Sequence, residues 1–262
     1  MRNIKLVIEY DGTNYNGWQE QRIKNFLEQK HTRPILTIQK TLKEAIYKVT
    51  HENIKIIGAG RTDAGVHAKA QVANFLTSSN IPTDKLPFAI NAHLPEDIAI
   101  KSAEEVSLGF NARKDAKARE YMYVINNHRF RTAIERLYSH HVPFPLDVNA
   151  MKHAAEYFKG THDFRGFCGK AMKMRASQNS KMTTYRNILR LDIEKKENFI
   201  YVFIRANSFL MHMVRYMVAA LLEVGRGRMK PEDVKLYLEP TLMKWTLSRV
   251  PAKGLFLVEV EY

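Results

Sequence analysis

Gly60-Arg61-Thr62-Asp63-Ala64-Gly65-Val66-His67-Ala68 is the most informative stretch of this 262-residue chain. It lies between residues 54–57 and 70–76, whose composition predicts two β-strands. The glycines and the acid favour a turn between those strands. A carboxylate on such a turn can be held exposed, oriented and ionised, which makes Asp63 a candidate catalytic residue, but Asp63 and Arg61 could also simply close the turn.

Two common phosphate-binding motifs share glycines with this stretch and can be excluded. Gly60 and Gly65 have the spacing of a P-loop, but Val66 and His67 occupy the positions that require Lys and Ser or Thr. The segment from residue 58 starts like a dinucleotide-binding loop. Asp63, however, stands at its third glycine position and would repel a pyrophosphate.

The nine-residue stretch resembles the active-site motif of the TruA-type tRNA pseudouridine synthases. Five further segments resemble motifs of that family and occur in the same order. They are residues 10–19, 91–98, 119–123, 206–215 and 251–257. The resemblance therefore extends over most of the chain.

Hydrophobic periodicity predicts an α+β fold in which each half has strands and a helix. Strands are expected at 4–10, 120–126, 199–206 and 254–262, with helices after Thr37, at 149–159 and at 209–225. Leu189, Leu191 and Ile193 alternate with polar residues, which predicts a further strand with these three on one face. We place the N-terminal half, with the Asp63 turn, at 1–108 and the C-terminal half, with RNA-binding and pocket residues, at 109–262.

The resemblance adds an arrangement to this fold. It implies two halves related by a pseudo-twofold axis that share one mixed, largely antiparallel sheet. Helices would lie on one side of the sheet and a basic cleft on the other.

The charge balance predicts a polyanionic partner. The chain has 41 Lys and Arg against 27 Asp and Glu, a net charge of +14, although a basic surface can also serve solubility alone. No acid occurs between Asp163 and Asp192. Basic residues of this stretch and of the polar segment 20–33 are the expected RNA contacts, namely Arg22, Lys24, Arg165, Lys170, Lys173 and Arg175.

A single cysteine, Cys168, excludes an internal disulfide, and no zinc-binding motif is recognisable. A reducing cytosol is the expected setting, and the first residues show no apolar signal region. The longest apolar stretch, 209–224, is shorter than the roughly 20 residues of a membrane span and contains His212 and Arg215. His140 and His141 lack a partner motif, so we do not assign them to a metal or to acid–base catalysis.

A charge such as Arg215 in an apolar helix either pairs with an anion or extends to the surface. The resemblance favours the first and makes Asp63 its partner. It also implies that Tyr121 stacks on the flipped nucleotide, and that Arg61 contacts its phosphate or holds the RNA open. Leu255 would form the pocket wall.

The reaction that the resemblance implies is the isomerisation of uridine on the 3′ side of the tRNA anticodon stem-loop, by a homodimer. No cofactor or metal is expected because the substrate contains every atom of the product. The carboxylate could attack the sugar, stabilise its positive charge or move a proton, and the sequence leaves these roles open.

Two other classes of function share some of these features. A nucleoside or glycoside hydrolase would need a second carboxylate near Asp63, and no clear one presents itself. An RNA-binding or chaperone module would share every basic feature. Only activity separates that module from an enzyme.

Overall fold

The computed structural model describes residues 1–20, 36–169, 183–239 and 247–262. The chain forms two compact units. The first comprises Met1–Ala116 and Leu257–Tyr262, and the second comprises Lys117–Phe256. The halves expected at 1–108 and 109–262 remain a prediction; the compact units divide eight residues later, and the last six residues return to the first unit.

In the first unit, the sheet is built around strand β1 (Arg2–Tyr10), which has an antiparallel neighbour on each side. It pairs with β3 (His67–Thr77) on one side and with β4 (Ile98–Val106) on the other. A short strand, β2 (Ile57–Gly58), pairs with β3. The strand predicted at 54–57 is thus almost entirely absent.

Two helices accompany these strands, α1 (Ile38–Thr50) and α2 (Leu86–Asn91). Thr37 is the N-cap of α1 as predicted, because its side chain accepts a hydrogen bond from the Lys40 N–H. The buried residues of α1 recur at helical spacing. The apolar ones are Ile38, Leu42, Ala45 and Ile46, and Gln39 is buried beside them.

The second unit contains the antiparallel strands β5 (Ala118–Asn126), β9 (Phe199–Ala206), β8 (Tyr185–Lys196) and β7 (Gly160–Asp163), in that spatial order. The two-residue strand β6 (His140–His141) pairs with β5 in parallel, which makes the sheet mixed.

Helix α3 (Val148–Glu156) packs against β8 and against α4 (Met213–Gly225). A short α5 (Val234–Leu238) follows, and β10 (Leu255–Glu261) returns the chain to the first unit. Strands, helices and pairing confirm the predicted α+β class with a mixed, largely antiparallel sheet.

Three further predicted features differ from the structure. Helix α4 begins at Met213 rather than 209, because His212 has the left-handed φ of +66° and interrupts the helix. Helix α3 ends at Glu156, three residues early. A register shift after Ile188 turns Leu189 outward to 50% exposure, while Leu191 and Ile193 stay buried.

Candidate active site

The turn that carries Asp63 is fixed by the strand that follows it. The Gln71 side chain is fully buried, donates to the Gly60 carbonyl at 3.0 Å and accepts from the Gly60 N–H at 3.3 Å. It therefore pairs with Gly60 as a neighbouring strand would, and it holds the start of the turn where strand β2 has ended.

A buried hydroxyl pair fixes the middle of the turn. Tyr10 Oη and Thr62 Oγ1 are 2.7 Å apart, and both residues are buried. Burial, partly offset by hydrogen bonds with Thr62 and Gln71, raises the pKa of Tyr10 to about 12. The phenol therefore keeps its proton at neutral pH. Its hydrogen bond holds Thr62, the residue that precedes Asp63.

The segment 10–19 closes over the turn from the other side. The Trp18 N–H donates to the Thr62 carbonyl at 3.1 Å, and the Gly65 N–H donates to the Tyr15 carbonyl at 3.3 Å. Two glycines allow this approach. A Cβ on Gly12 would lie 2.0 Å from the Val66 oxygen, and one on Gly17, where φ is +87°, would lie 2.6 Å from the Thr62 oxygen.

His67 ends the turn and contacts the same segment. Its Nδ1 lies 3.1 Å from the Gly12 nitrogen and 3.0 Å from Asp11 Oδ1, and the ring is 1% exposed. One ring nitrogen cannot accept and donate at once. We assign Nδ1 as the acceptor of the hydrogen bond from the Gly12 N–H, because the backbone N–H can only donate. A protonated Nδ1 would instead donate to the Asp11 carboxylate.

Within this frame, Asp63 is partly exposed and Arg61 is exposed. Gly17, Gln71 and His67 were not recognised as site residues from the sequence. Their sequence signals are weak, because the residue type alone does not show whether a Gln or His in a strand is buried or exposed. Only the structure distinguishes a polar residue that clamps a turn from one that faces water.

The other predicted site residues lie in the second unit. Tyr121 on β5 is 9% exposed and meets the Phe209 ring edge-to-face, with centroids 5.1 Å apart. The preceding Asn207 accepts hydrogen bonds at Oδ1 from the Asn187 and Ser208 N–H groups, which orders the segment that carries Phe209. Leu255 is buried at the start of β10.

Arg215 is buried in the first turn of α4, at 8% exposure, so it does not extend to the surface. Its Nε donates to the Val250 carbonyl at 2.8 Å, and its charge partly offsets the burial that raises the pKa of Tyr123. The predicted pairing with Asp63 remains a prediction.

The predicted RNA contacts are described only in part. Arg165 is exposed, with its guanidinium 3.4 Å from Asp163. Arg22, Lys24, Lys170, Lys173 and Arg175 lie outside the described residues. Within the described ranges, no group of three His, Cys, Asp or Glu side chains could hold a metal ion, and no helix there is long and apolar enough to cross a membrane.

The chain is similar to proteins of one family along its whole length. The family model described as tRNA pseudouridine synthase matches residues 6–113 and 154–262. Proteins named tRNA pseudouridine synthase A are 44% identical in Thermoanaerobacter sp. and in Caldicellulosiruptor saccharolyticus, in each case over 100% of both chains. A Clostridium perfringens protein named tRNA pseudouridine synthase A 2 is 45% identical over the same full length.

Two matched segments correspond to an N-terminal and a C-terminal half. The matches to these relatives extend over whole chains, and the first segment of the family model contains the Asp63 turn. On this basis the chain belongs to the tRNA pseudouridine synthase family and is an isomerase that converts uridine to pseudouridine in tRNA.

Proposed function

We propose that this isomerase modifies uridines on the 3′ side of the tRNA anticodon stem-loop and that Asp63 is its catalytic carboxylate. The observation that carries the proposal is the rigid frame of the Asp63 turn. Gln71, the Tyr10–Thr62 hydroxyl pair and the backbone of Gly17 fix the turn on three sides, while the carboxylate stays partly exposed. A preorganised charge needs no rearrangement when the substrate arrives.

The chemistry matches a single carboxylate. The N1–C1′ bond of uridine breaks, the uracil turns, C5 bonds to C1′, and the proton lost from C5 is balanced by one gained at N1. The sugar passes through a cation-like state, which an adjacent negative charge stabilises. Because every atom of the product comes from the substrate, the reaction requires neither oxidant nor co-substrate.

The remaining residues bind and position the nucleotide. A uridine inside a helix is out of reach, so it must be flipped out. Tyr121 offers a ring for stacking, Leu255 an apolar wall, and the exposed Arg61 a charge for a phosphate or for the displaced strand. Arg215 supplies the counter-charge for Asp63. The enzyme works as a cytosolic homodimer in which one tRNA contacts both subunits.

The test is Asp63→Asn, which removes the charge and almost no volume. We expect a retained fold, unchanged tRNA affinity and roughly a thousandfold loss of pseudouridine formation, mapped by carbodiimide labelling along the anticodon arm. Residual turnover within tenfold of wild type would remove Asp63 from its role. Wild-type modification confined to another arm of the tRNA would contradict the anticodon assignment alone.

A further inference from the structure

A cavity of about 470 Å³ lies in the second unit, beside the last turns of α4. Its wall is formed by parts of 219–229, by Tyr237 of α5, by the segment 247–251 and by His140 of β6. A cavity of this volume accepts a ligand the size of a nucleotide. None of the predicted site residues is among the described residues of the wall, so the proposed function leaves this cavity without a role.

The wall of the cavity carries a surplus of positive charge. Three of its residues are arginines, Arg226, Arg228 and Arg249, and Glu223 is the only acid among the described residues of the wall. The Glu223 carboxylate lies 3.1 Å from Arg226 Nη1 and 3.8 Å from Arg228 Nη1. Each guanidinium has five N–H donors, so one carboxylate satisfies only a small part of them.

The end of helix α4 does not cancel this surplus. Arg226 is the C-cap of α4, and a helix C-terminus carries about half a negative charge. Together with Glu223, this partial charge does not balance three arginines. The pKa of His140 agrees with a positive surrounding, since burial and then the neighbouring charges of Lys253 and Arg226 lower it to about 4.

Two buried donors of the wall lack an acceptor. Tyr237 is 2% exposed, and its hydroxyl has no hydrogen-bond partner in the part of the chain that the structure describes. The Nε of Arg226 is buried and unpaired within the same ranges. Burial, with the negative charges of Asp233 and Glu223, raises the pKa of Tyr237, so the phenol keeps its proton at neutral pH. Because buried polar groups are almost always paired, these two donors indicate a ligand that accepts hydrogen bonds.

The remaining wall and the arginines indicate what kind of anion the cavity accepts. Leu222, Met229 and Val250 add apolar surface to the wall. A small inorganic anion would leave that surface in contact with water, whereas an organic group would cover it. The planar fork of a guanidinium matches the oxygens of a phosphate in two parallel hydrogen bonds. The cavity therefore suits a phosphate that is attached to an organic group.

We infer that this cavity binds a phosphate group carried by an organic molecule, with the three arginines and the Tyr237 hydroxyl as its donors. Two molecules offer this chemistry, a free nucleotide and the backbone of tRNA, because both carry a phosphate close to a planar base. All described residues of the wall belong to the second unit. Binding at this site therefore does not depend on the catalytic role proposed for Asp63.

The first experiment removes the Tyr237 hydroxyl and keeps its ring. Calorimetric titration at constant ionic strength measures the affinity for adenosine 5′-monophosphate (AMP), which contains no uracil for the catalytic site. Tyr237→Phe should weaken AMP binding by about tenfold, because a hydrogen bond to a charged group is lost. The melting temperature without AMP should stay the same, since this hydroxyl is unpaired within the described ranges. Tyr157→Phe, whose hydroxyl lies 3.3 Å from His153 Nε2 and outside the wall, should bind AMP like the wild-type protein.

A second experiment changes the charge of the wall. Arg228 and Lys230 are both exposed, and Arg228 belongs to the wall whereas Lys230 does not. Arg228→Gln should weaken AMP binding by about threefold, the size expected of an exposed ion pair, and Lys230→Gln should leave it unchanged. Adenosine, which lacks the phosphate, should bind the wild-type protein roughly tenfold more weakly than AMP.

Saturating tRNA distinguishes the two sources of the phosphate. If tRNA abolishes AMP binding by the wild-type protein, a backbone phosphate of tRNA occupies the cavity. If AMP binds the protein–tRNA complex unchanged, a small phosphorylated molecule is the ligand. Equal AMP affinity of the wild-type protein, Tyr237→Phe and Arg228→Gln would overturn the site, and so would equal binding of adenosine and AMP or no measurable AMP binding.

Discussion

At the scale of single residues, the position of Asp63 depends on Gly17, which has no side chain. The backbone of Gly17 lies against the peptide groups of Thr62 and Asp63, and a Cβ there would meet Thr62 O at 2.6 Å and Asp63 C at 3.0 Å. Both neighbours are backbone atoms, which cannot rotate away as a side chain can. The Asp63 turn and the segment 10–19 therefore fit together only with glycine at position 17.

Gly17→Ala should consequently displace the turn and lower both stability and activity. The left-handed φ of +87° alone costs an alanine about 1–2 kcal/mol, and the clash with Thr62 adds to this. Urea denaturation and single-turnover pseudouridine formation measure the two effects. Gly109→Ala is the matched control, since a Cβ there meets nothing within 4 Å; equal behaviour of the two variants would contradict the close fit.

At the scale of elements, helix α1 and the segment 10–19 complete each other's hydrogen bonds. The N–H groups of Ile38 and Gln39 donate to the carbonyls of Gly17 and Trp18, at 3.2 and 3.0 Å. The first N–H groups of a helix have no partner within the helix. Here they bind the segment 10–19, which contacts the Asp63 turn, so the N-terminus of the helix supports the candidate site without contacting it.

Gln39 extends this connection. Its Nε2 donates to the Ile56 carbonyl at 3.0 Å, and its Oε1 accepts from the Glu20 N–H at 2.9 Å. Gln39→Met keeps the volume and leaves both groups without their partner, so the free energy of unfolding should fall by about 1–3 kcal/mol. Chemical denaturation measures it against Lys40→Met, the exposed neighbour on the same helix. A loss no larger than that of the control would show that water replaces the glutamine.

At the scale of the whole molecule, charge decides how tRNA is held. In the acid-free stretch between Asp163 and Asp192, residues 170–182 lie outside the described residues, so the role of Lys170, Lys173 and Arg175 remains a prediction from sequence. The whole chain carries +14, and RNA binding requires a surplus of positive charge. The acid-free stretch is the leading candidate for that positive surface.

Neutralising Lys170, Lys173 and Arg175 to Gln should weaken the binding of all tRNAs alike. The slope of log affinity against log salt should become shallower by about 0.7–0.9 for each lost phosphate contact. Turnover at saturating tRNA should persist because none of the three belongs to the proposed chemical site. Binding titrations at several salt concentrations test this: an unchanged slope would refute the phosphate contacts, and a loss for one tRNA alone would indicate base recognition.

The stability of the protein at acidic pH depends on His140, which has no role in the proposed function. Burial, with the charges of Lys253, Arg226 and His141, lowers the pKa of His140 from 6.5 to about 4. Between these values the unfolded chain binds a proton that the folded chain does not, so His140 makes the protein less stable as pH falls from 6.5 towards 4. It has no such effect above pH 6.5.

His140→Gln should therefore flatten the fall of the melting temperature across that range. His153→Gln, at an exposed histidine of α3, is the control. Thermal melts of the three proteins at several pH values between 4 and 7 provide the comparison. Parallel curves for wild type and His140→Gln would show that His140 does not cause the acid sensitivity.

The sequence by itself determined the family, the α+β class, the N-cap at Thr37 and the main strands. These features are local, since motif letters, capping residues and apolar periodicity are read within a few positions of one another. It misplaced the strand at 54–57, the start of α4, the end of α3 and the face of Leu189. A left-handed residue at His212 and a bulge after Ile188 leave no periodic signal.

Only the tertiary structure decided how the site is held. Gln71 clamps Gly60 across eleven positions, and Tyr10 reaches Thr62 across fifty-two. Such contacts follow from strand pairing, and the identities of Gln71 and Tyr10 do not predict them. Pairing between distant strands decides which residues share a face.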